Sequence, residues 1–205
     1  RRHAAWAVHH CRSLIAAIDV ANEAAPRLRL YLERDNLSAA VAHTWGEDWD
    51  TAVDAALVLT YVLRRLGPTA RAVSLLEDAR DKVDGDRLID LLVMLSGAQL
   101  MIGQTRTAVT TCATAWSLCV HDAANTQSAR VSRWMGEAAY EAGDLVAAEE
   151  HLTRAATMYR ELGDPRGEGQ TRTVLSTVHR LVGHPAEAYS ASADALVLLR
   201  AAEDS

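Results

Sequence analysis

Apolar residues recur three and four positions apart along most of this chain, in blocks that end at glycines. That spacing places them in one stripe along a helix, where they can be buried against a neighbouring helix. The separations between the glycines are 36, 40 and 40 residues, and fixed periods of this size are typical of helical solenoids. The four glycines are Gly67, Gly103, Gly143 and Gly183.

Alignment on these glycines shows further repeated positions. Seven residues earlier stand the small residues Thr60, Ser96, Gly136 and Ser176. Alanines follow each glycine five and twelve residues later, at Ala72, Ala108, Ala148, Ala188, Ala79, Ala115, Ala155 and Ala195. Small side chains at fixed positions allow the two helices of a pair to approach closely. Each glycine should end the first helix in the left-handed conformation, and Asp144 or Pro185 should begin the second.

The aligned positions predict four helix pairs, in repeats over 48–84, 85–122, 123–163 and 164–203. Helix A and helix B of each pair are expected at 50–66 and 69–83, 86–102 and 105–120, 124–142 and 145–162, and 167–182 and 185–202. Residues 1–47 are predicted to form an N-terminal helical cap or connector. Its helices are expected at 3–24, 27–33 and 36–46, with Pro26 breaking the first.

These positions resemble the consensus of the tetratricopeptide (TPR) family. The best match is Gly136, Ala148, Leu152 and Ala155, whose spacings of 12, 4 and 3 match the family pattern. The period of 40 residues is longer than the family's usual value of about 34, which implies longer helices or loops. The expected fold is an all-α, right-handed α-solenoid of about four TPR-like helix pairs with an N-terminal helical cap.

Two segments resemble a family of bacterial regulators. Residues 31–40, YLERDNLSAA, are similar to the "L-x-x-E-R-D-N-L-R-A-A-L" signature of STAND-type signalling ATPases, and residues 161–169, ELGDPRGEG, to their "E-L-G-D-x-R-G-E-A". The resemblance covers nearly the whole chain from residue 26. It implies the C-terminal TPR sensor region of actinobacterial SARP or LuxR-type ATPase transcription regulators. The ATP-binding and DNA-binding domains of that family would both precede this region.

Composition removes several classes of function. A net charge of −6 argues against direct contact with nucleic acid, which requires a basic face. No apolar run approaches the roughly 20 residues of a membrane span, and the start does not resemble a secretory signal. The chain begins Arg1-Arg2 without a methionine, and so is interpreted as part of a longer protein. Cys11, Cys112 and Cys119 form no metal or disulfide pattern, which predicts a reduced, cytoplasmic protein.

The candidates for chemistry are weak. His9, His10 and Cys11 are adjacent, but neighbouring residues on a helix point about 100° apart, so a shared metal is not expected. No G-x-x-x-x-G-K-[ST] or G-x-S-x-G motif is present, and we predict no catalytic residues, cofactor or metal. Trp45 and Trp49 are expected to pack at the junction with the first repeat, with a ligand-stacking pair as the alternative.

We therefore predict a non-catalytic interaction module whose partner binds the exposed faces of the A helices. An acidic and apolar helix or peptide would suit arginines beside an apolar strip, although a solvated charged surface explains the same residues. Leu57 and Tyr61 stand where chaperone-binding TPR domains carry part of a Lys and Asn set that binds a carboxylate, so a chaperone carboxylate clamp is not expected. The partner is a protein or peptide, possibly the chain's own upstream ATPase domain, or a small effector. A free-standing TPR adaptor is the alternative, and an all-helical enzyme is a third hypothesis. The candidate groove residues are Tyr61, Arg64, Arg65, Leu100, Arg130, Arg133, Glu137, Tyr140 and Arg180.

Overall fold

The computed structural model describes residues 2–21, 24–119 and 125–203. These residues form eleven α-helices and a short 3₁₀ helix over Arg80–Lys82, and they contain no strand. The α-helices are α1 (Arg2–Ala21), α2 (Ala24–Leu32), α3 (Arg34–Thr44), α4 (Trp49–Leu66), α5 (Thr69–Ala79), α6 (Gly85–Met101), α7 (Thr105–Leu118), α8 (Thr126–Glu141), α9 (Leu145–Glu161), α10 (Pro165–Val182) and α11 (Pro185–Glu203). The predicted all-α class is confirmed, and no described helix has the length and apolar character needed to cross a membrane.

Helices α1–α6 form the first of two compact units, Arg1–Ile102. In this unit α1 packs on α2, α3 and α4, while α4 packs on α5 and α6. One apolar core joins these helices, with Leu37, Leu59, Leu76 and Leu95 fully or almost fully buried in it. The N-terminal helices therefore share a core with the first predicted repeat.

Helices α7–α11 form the second unit, Gly103–Ser205. Each helix packs on the next in the chain, from α7 on α8 through α10 on α11. The connections between α8, α9, α10 and α11 span only a few residues, which makes successive helices antiparallel hairpins. Leu152, Leu175 and Val178 anchor an apolar cluster between α8, α9 and α10.

Small residues bring the paired helices together, as the repeat pattern predicts. A Cβ atom on Gly136 of α8 would lie 2.5 Å from Leu152 Cγ of α9, a distance that no real contact allows. Four residues earlier on α8, the Ser132 hydroxyl donates a hydrogen bond to the His151 carbonyl oxygen at 3.0 Å. Thr60 and Ser96 are the residues of the earlier repeats that align with Gly136, and both are fully buried.

Of the four glycines on which the repeats align, three have the expected left-handed backbone. The φ angles of Gly103, Gly143 and Gly183 are +78°, +82° and +85°. The prediction is wrong for Gly67, whose φ of −150° and ψ of −170° are extended. Pro68 explains this difference, since a residue before proline is restricted to extended conformations by the proline ring.

Several observed helix ends also differ from the predicted ones. Pro26 does not end a helix but lies in the first turn of α2, where its missing N–H removes no helical hydrogen bond. Helix α5 ends at Ala79, four residues earlier than predicted, and Val83 then turns inward onto the core of the first unit in an extended conformation. Asp144 caps α9 as expected, by accepting a hydrogen bond from the Ala147 N–H at 3.1 Å. The predicted helix ends at 120 and 124 lie outside the described residues, as do residues 22–23 of the first predicted helix.

Candidate functional site

The candidate residues of the first unit lie on α4 and α6. The guanidinium carbon of Arg65 is 3.8 Å from the centre of the Tyr61 ring, close enough for a cation–π contact. Arg64 Nε donates to Met101 Sδ on α6 at 3.4 Å. Leu100 is half-buried beside Met101, whose side chain is 53% exposed. The structure thus places two arginines, a tyrosine ring and an exposed thioether on one face.

A second group on α4 is already paired within the unit. The Asp54 carboxylate forms an ion pair with Arg12 of α1 at 2.9 Å and lies 3.7 Å from the guanidinium group of Arg87 of α6. Asp50 is also bonded to Arg87. These contacts link α1, α4 and α6, so Asp54 has a structural role.

The candidate residues of the second unit centre on Arg133 of α8. Its Nη1 donates to the Gln170 side-chain oxygen of α10 at 2.7 Å, and its Nε is 3.4 Å from Glu137 Oε1. The Arg133 side chain is only 17% exposed, so these contacts hold it in place. A guanidinium fixed in this way loses little conformational entropy when it binds a carboxylate.

Arg130 and Arg133 also influence the pKa of the buried Tyr159 side chain. Burial raises the pKa of Tyr159 of α9, and the positive charges of Arg133 and Arg130 oppose that rise. Both guanidinium groups are therefore close enough to the Tyr159 hydroxyl to affect its pKa. The carboxylates of Asp164 and Glu137 act in the opposite direction, so this hydroxyl is surrounded by charges of both signs.

Tyr140 and Arg180 are in different surroundings. Tyr140 is half-buried and packs against the apolar cluster of Leu152 and Leu175, so part of its role is structural. Arg180 is exposed in the last turn of α10, where the negative end of the helix dipole favours a cation. Among the described residues, no hydrogen bond or ion pair joins Arg180 to Arg133, so these two do not form one cluster.

The first helices of the four pairs, called A helices here, are α4, α6, α8 and α10. Contacts between successive A helices join residues at one fixed separation in the sequence. Arg64 with Met101, Asp50 with Arg87, and Arg133 with Gln170 each join residues 37 positions apart. The first two join α4 to α6 and the third joins α8 to α10. Within each unit the exposed faces of neighbouring A helices are therefore aligned residue by residue.

Sequence reasoning missed a buried carboxylate in the second unit. Glu168 Oε1 accepts hydrogen bonds from Arg160 Nε and Nη2 at 3.1 and 2.9 Å, and from Arg172 Nε at 2.9 Å. Arg172 also pairs with Asp194 of α11 at 2.9 Å. These four side chains line an open cleft of about 340 Å³. The only signal in the sequence was the i, i+4 spacing of Glu168 and Arg172 on one helix.

The second unit also has a small apolar cleft between α7, α8 and α9. Its volume is about 170 Å³, and Cys112, Met135, Ala139 and His151 are among the residues that line it. Burial lowers the pKa of His151, and its Nδ1 is buried without a hydrogen-bond partner. A neutral imidazole is thus held at the side of an apolar cavity.

The residues that resemble the regulator family have packing roles here. The Asp164 carboxylate accepts from the Gly167 N–H at 2.8 Å, and Gly167 lies so close to Tyr159 that a Cβ would be 2.4 Å from its ring. In the earlier segment Leu37 is fully buried, and Asn36 donates to Glu33 at 2.7 Å. Both segments therefore have structural roles in this chain.

The tryptophans and the N-terminal cluster also serve packing. The Trp45 and Trp49 rings meet edge to face with centroids 5.0 Å apart, as expected for a packed junction. The Trp6 ring stacks on His10 at 5.1 Å. Cys11 is completely buried, and burial together with Glu33 raises its pKa to about 11. A thiol in that state is a poor metal ligand, because ligation requires the thiolate.

The class of fold follows from these features: antiparallel helix pairs, glycine-terminated A helices and small residues at the pair contacts define a TPR-like helical repeat. No protein-family model matches the chain, and no curated protein matches it by sequence. Several solved structures, however, are similar to it in fold. BtubC (BKLC) from P. vanneervenii is similar over 84% of this chain and 73% of its own, with a TM-score of 0.68 and 14% identity.

Two further structures are similar. MamA matches 89% of this chain and 98% of its own, with a TM-score of 0.63 and 16% identity. Rap Protein, solved in complex with Competence and Sporulation Factor, matches 85% of this chain with a TM-score of 0.70 and 17% identity. This chain spans about half of Rap, 51% of its length. The predicted TPR-like fold is confirmed by these likenesses.

Proposed function

We propose that this chain is a non-catalytic interaction module that binds a protein or peptide on the exposed faces of its A helices. The observation that carries the proposal is the first unit's surface of Tyr61, Arg64, Arg65 and Met101, where two guanidinium groups lie beside the half-buried Tyr61 ring and the exposed Met101 thioether. Such a surface is complementary to a helix or peptide that carries carboxylates beside apolar residues. The Arg133 side chain of the second unit offers a pre-ordered cation of the same kind.

The comparison with Rap supports a peptide or protein as the partner. That protein was solved with Competence and Sporulation Factor, and its fold is similar to that of this chain. Neither the partner nor its position carries over at 17% identity. What supports the same kind of function here is the repeated alignment of A-helix side chains at an offset of 37 residues.

We place the module in a cytoplasmic, actinobacterial transcription regulator of the STAND type. The support is the resemblance of residues 31–40 and 161–169 to that family. In such a protein the module would sense a partner, its own upstream ATPase domain or an effector, and would favour one state of the ATPase by population shift. The gene decides this point: no P-loop and no DNA-binding domain upstream would contradict it. A reading frame that begins within a few residues of Arg1 would instead favour a free-standing TPR adaptor.

Affinity capture from the source organism tests the interaction face. The wild-type chain is compared with Arg64→Ala/Arg65→Ala and with Arg130→Ala/Arg133→Ala/Arg180→Ala. We expect recovery of the partner to fall about tenfold or more in at least one variant, because a lost charge-assisted hydrogen bond is worth about 1.5–3 kcal/mol. Circular dichroism confirms that each variant is folded.

The matched control is Arg71→Ala/Arg106→Ala, which removes two exposed arginines from the B helices α5 and α7. This control changes the net charge by the same amount as the α4 double variant. Undiminished recovery with both A-helix variants would contradict the proposed face. Equal loss with the control would show that net charge alone drives capture, which would also contradict it.

A further inference from the structure

A group of possible metal ligands lies at one end of the second unit, away from the arginines of α8. Glu149 is on α9, His179 is near the end of α10, and His184 directly precedes α11. One nitrogen of each histidine and one carboxylate oxygen of Glu149 lie within 4.8 Å of one another. These three residues come from three chain segments, and the fold brings them together.

The turn after α10 explains how the two histidines meet. Gly183 has a left-handed backbone with φ of +85°, which reverses the chain at the helix end. The His184 N–H then donates to the His179 carbonyl oxygen at 2.8 Å. As a result the two imidazole rings face the same space, with centroids 6.3 Å apart and a tilt of 43°.

The distances suit ligands of a single ion. His179 Nδ1 is 3.5 Å from Glu149 Oε1. Two ligands bonded to one tetrahedral zinc ion at about 2.0–2.1 Å are separated by about 3.3–3.4 Å. The His184 nitrogen lies within 4.8 Å of each of the other two ligand atoms.

One of these atoms has the Glu149 oxygen 3.5 Å away but no hydrogen bond. His179 Nδ1 is buried and makes no hydrogen bond, although buried polar groups in proteins almost always do. The neighbouring Glu149 side chain is about one-third exposed and His184 is exposed, which leaves a path from solvent. A cation between these side chains would satisfy the buried nitrogen.

We propose that Glu149, His179 and His184 bind a divalent transition-metal ion, with zinc as the best fit. Two imidazoles and one carboxylate are a ligand set that zinc accepts, and three protein ligands leave a fourth position for water or a partner's side chain. The bound ion ties α9, α10 and the start of α11 together. This inference does not depend on the interaction face proposed above, because none of its three residues is among those proposed for that face.

Titration of the untagged, chelator-treated chain with Zn²⁺ tests the site. Isothermal titration calorimetry should show one saturable site per chain, and the melting temperature should rise with Zn²⁺ because the metal binds the folded state. In His184→Ala the affinity should fall about tenfold or more, since removal of even an outer-shell partner of a metal ligand costs about 10–100-fold. His184 is exposed, so this variant is expected to keep the fold.

Glu149→Gln is the second variant, and His43→Ala is the matched control because His43 is an exposed helical histidine of the first unit. Glu149→Gln should weaken binding as well, while His43→Ala should bind Zn²⁺ as the wild type does. Co²⁺ provides a second readout, because its visible absorption reports the coordination geometry and should be lost in His184→Ala. Absence of saturable binding, unchanged affinity in His184→Ala, or equal loss in His43→Ala would each overturn the proposal.

Discussion

The buried ion pairs of Glu168 offer the sharpest prediction about what holds the second unit together. The Glu168 side chain is 7% exposed and its Oε1 accepts three hydrogen bonds from two arginines. Glu168→Gln keeps the size of the side chain and removes its charge. The change therefore isolates the electrostatic contribution with little effect on packing.

The expected loss is about 2 kcal/mol in the free energy of unfolding. Breaking a buried ion pair costs about 3–5 kcal/mol when the remaining charge stays buried and unpaired. That condition is only partly met here, because Arg160 is 59% exposed and Arg172 keeps its contact with Asp194. Hydrogen bonds to charged groups are worth about 1.5–3 kcal/mol, which agrees with the reduced figure.

Glu150→Gln is the control, because it makes the same substitution in an ion pair at the surface. Glu150 is 65% exposed and pairs with Arg154, which is 38% exposed, in an i, i+4 arrangement on α9. Such pairs contribute about 0.3–0.5 kcal/mol and weaken in salt. Urea denaturation gives the stability of each variant, and hydrogen exchange of the α9 and α10 amides reports the second unit separately.

The reasoning would be refuted if the two substitutions were equally mild. It would also be refuted if added salt removed the difference between them, since a buried pair is screened much less than an exposed one. A gain of stability in Glu168→Gln would show that the desolvation of this carboxylate outweighs its hydrogen bonds.

Three other predictions follow from packing and burial. Gly136→Ala should destabilise the chain by about 1–3 kcal/mol, because the new methyl group meets Leu152, and the loss should largely disappear in a Leu152→Ala background in a double-mutant cycle. His151→Gln should flatten the decline of stability with acidification. The pKa of His151 is lowered in the folded chain, so its contribution is complete above the ordinary histidine pKa of 6.5 and is lost as the pH falls through the lowered pKa. Urea melts at several pH values measure this, and an unchanged slope would contradict it. Cys11, with a pKa of about 11, should resist alkylation by iodoacetamide at pH 8 until the chain is unfolded, and rapid labelling of the folded chain would contradict its burial.

The repeats could be predicted from sequence because packing imposes residue size at fixed positions. Gly136 tolerates no Cβ beside Leu152, and Ala148 and Ala155 are fully buried, so these positions leave a visible pattern. Gly67 fits the same pattern but has a different backbone conformation, because the rule for helix-ending glycines competes there with the restriction before proline.

The sites were harder to predict, because they depend on contacts between distant positions. His9, His10 and Cys11 drew attention as adjacent ligand types, but the helix points them apart. The group that converges is Glu149, His179 and His184, and the first two stand thirty positions apart in the sequence. Glu168 looked like one more surface carboxylate of an i, i+4 pair, and only the packing of α9, α10 and α11 reveals its burial.

The direct test of the interaction proposal is site-specific photocrosslinking in cells that express the protein at its natural length. A photoreactive amino acid replaces Met101 or Leu181 on A helices, or Val146 on the B helix α9, and all three native side chains are substantially exposed, at 53%, 48% and 76%. The account predicts that a defined partner, or an upstream segment of the same chain, is crosslinked from Met101, Leu181 or both, and not from Val146. Crosslinking from Val146 alone, or equally from all three positions, would contradict binding on the faces of the A helices.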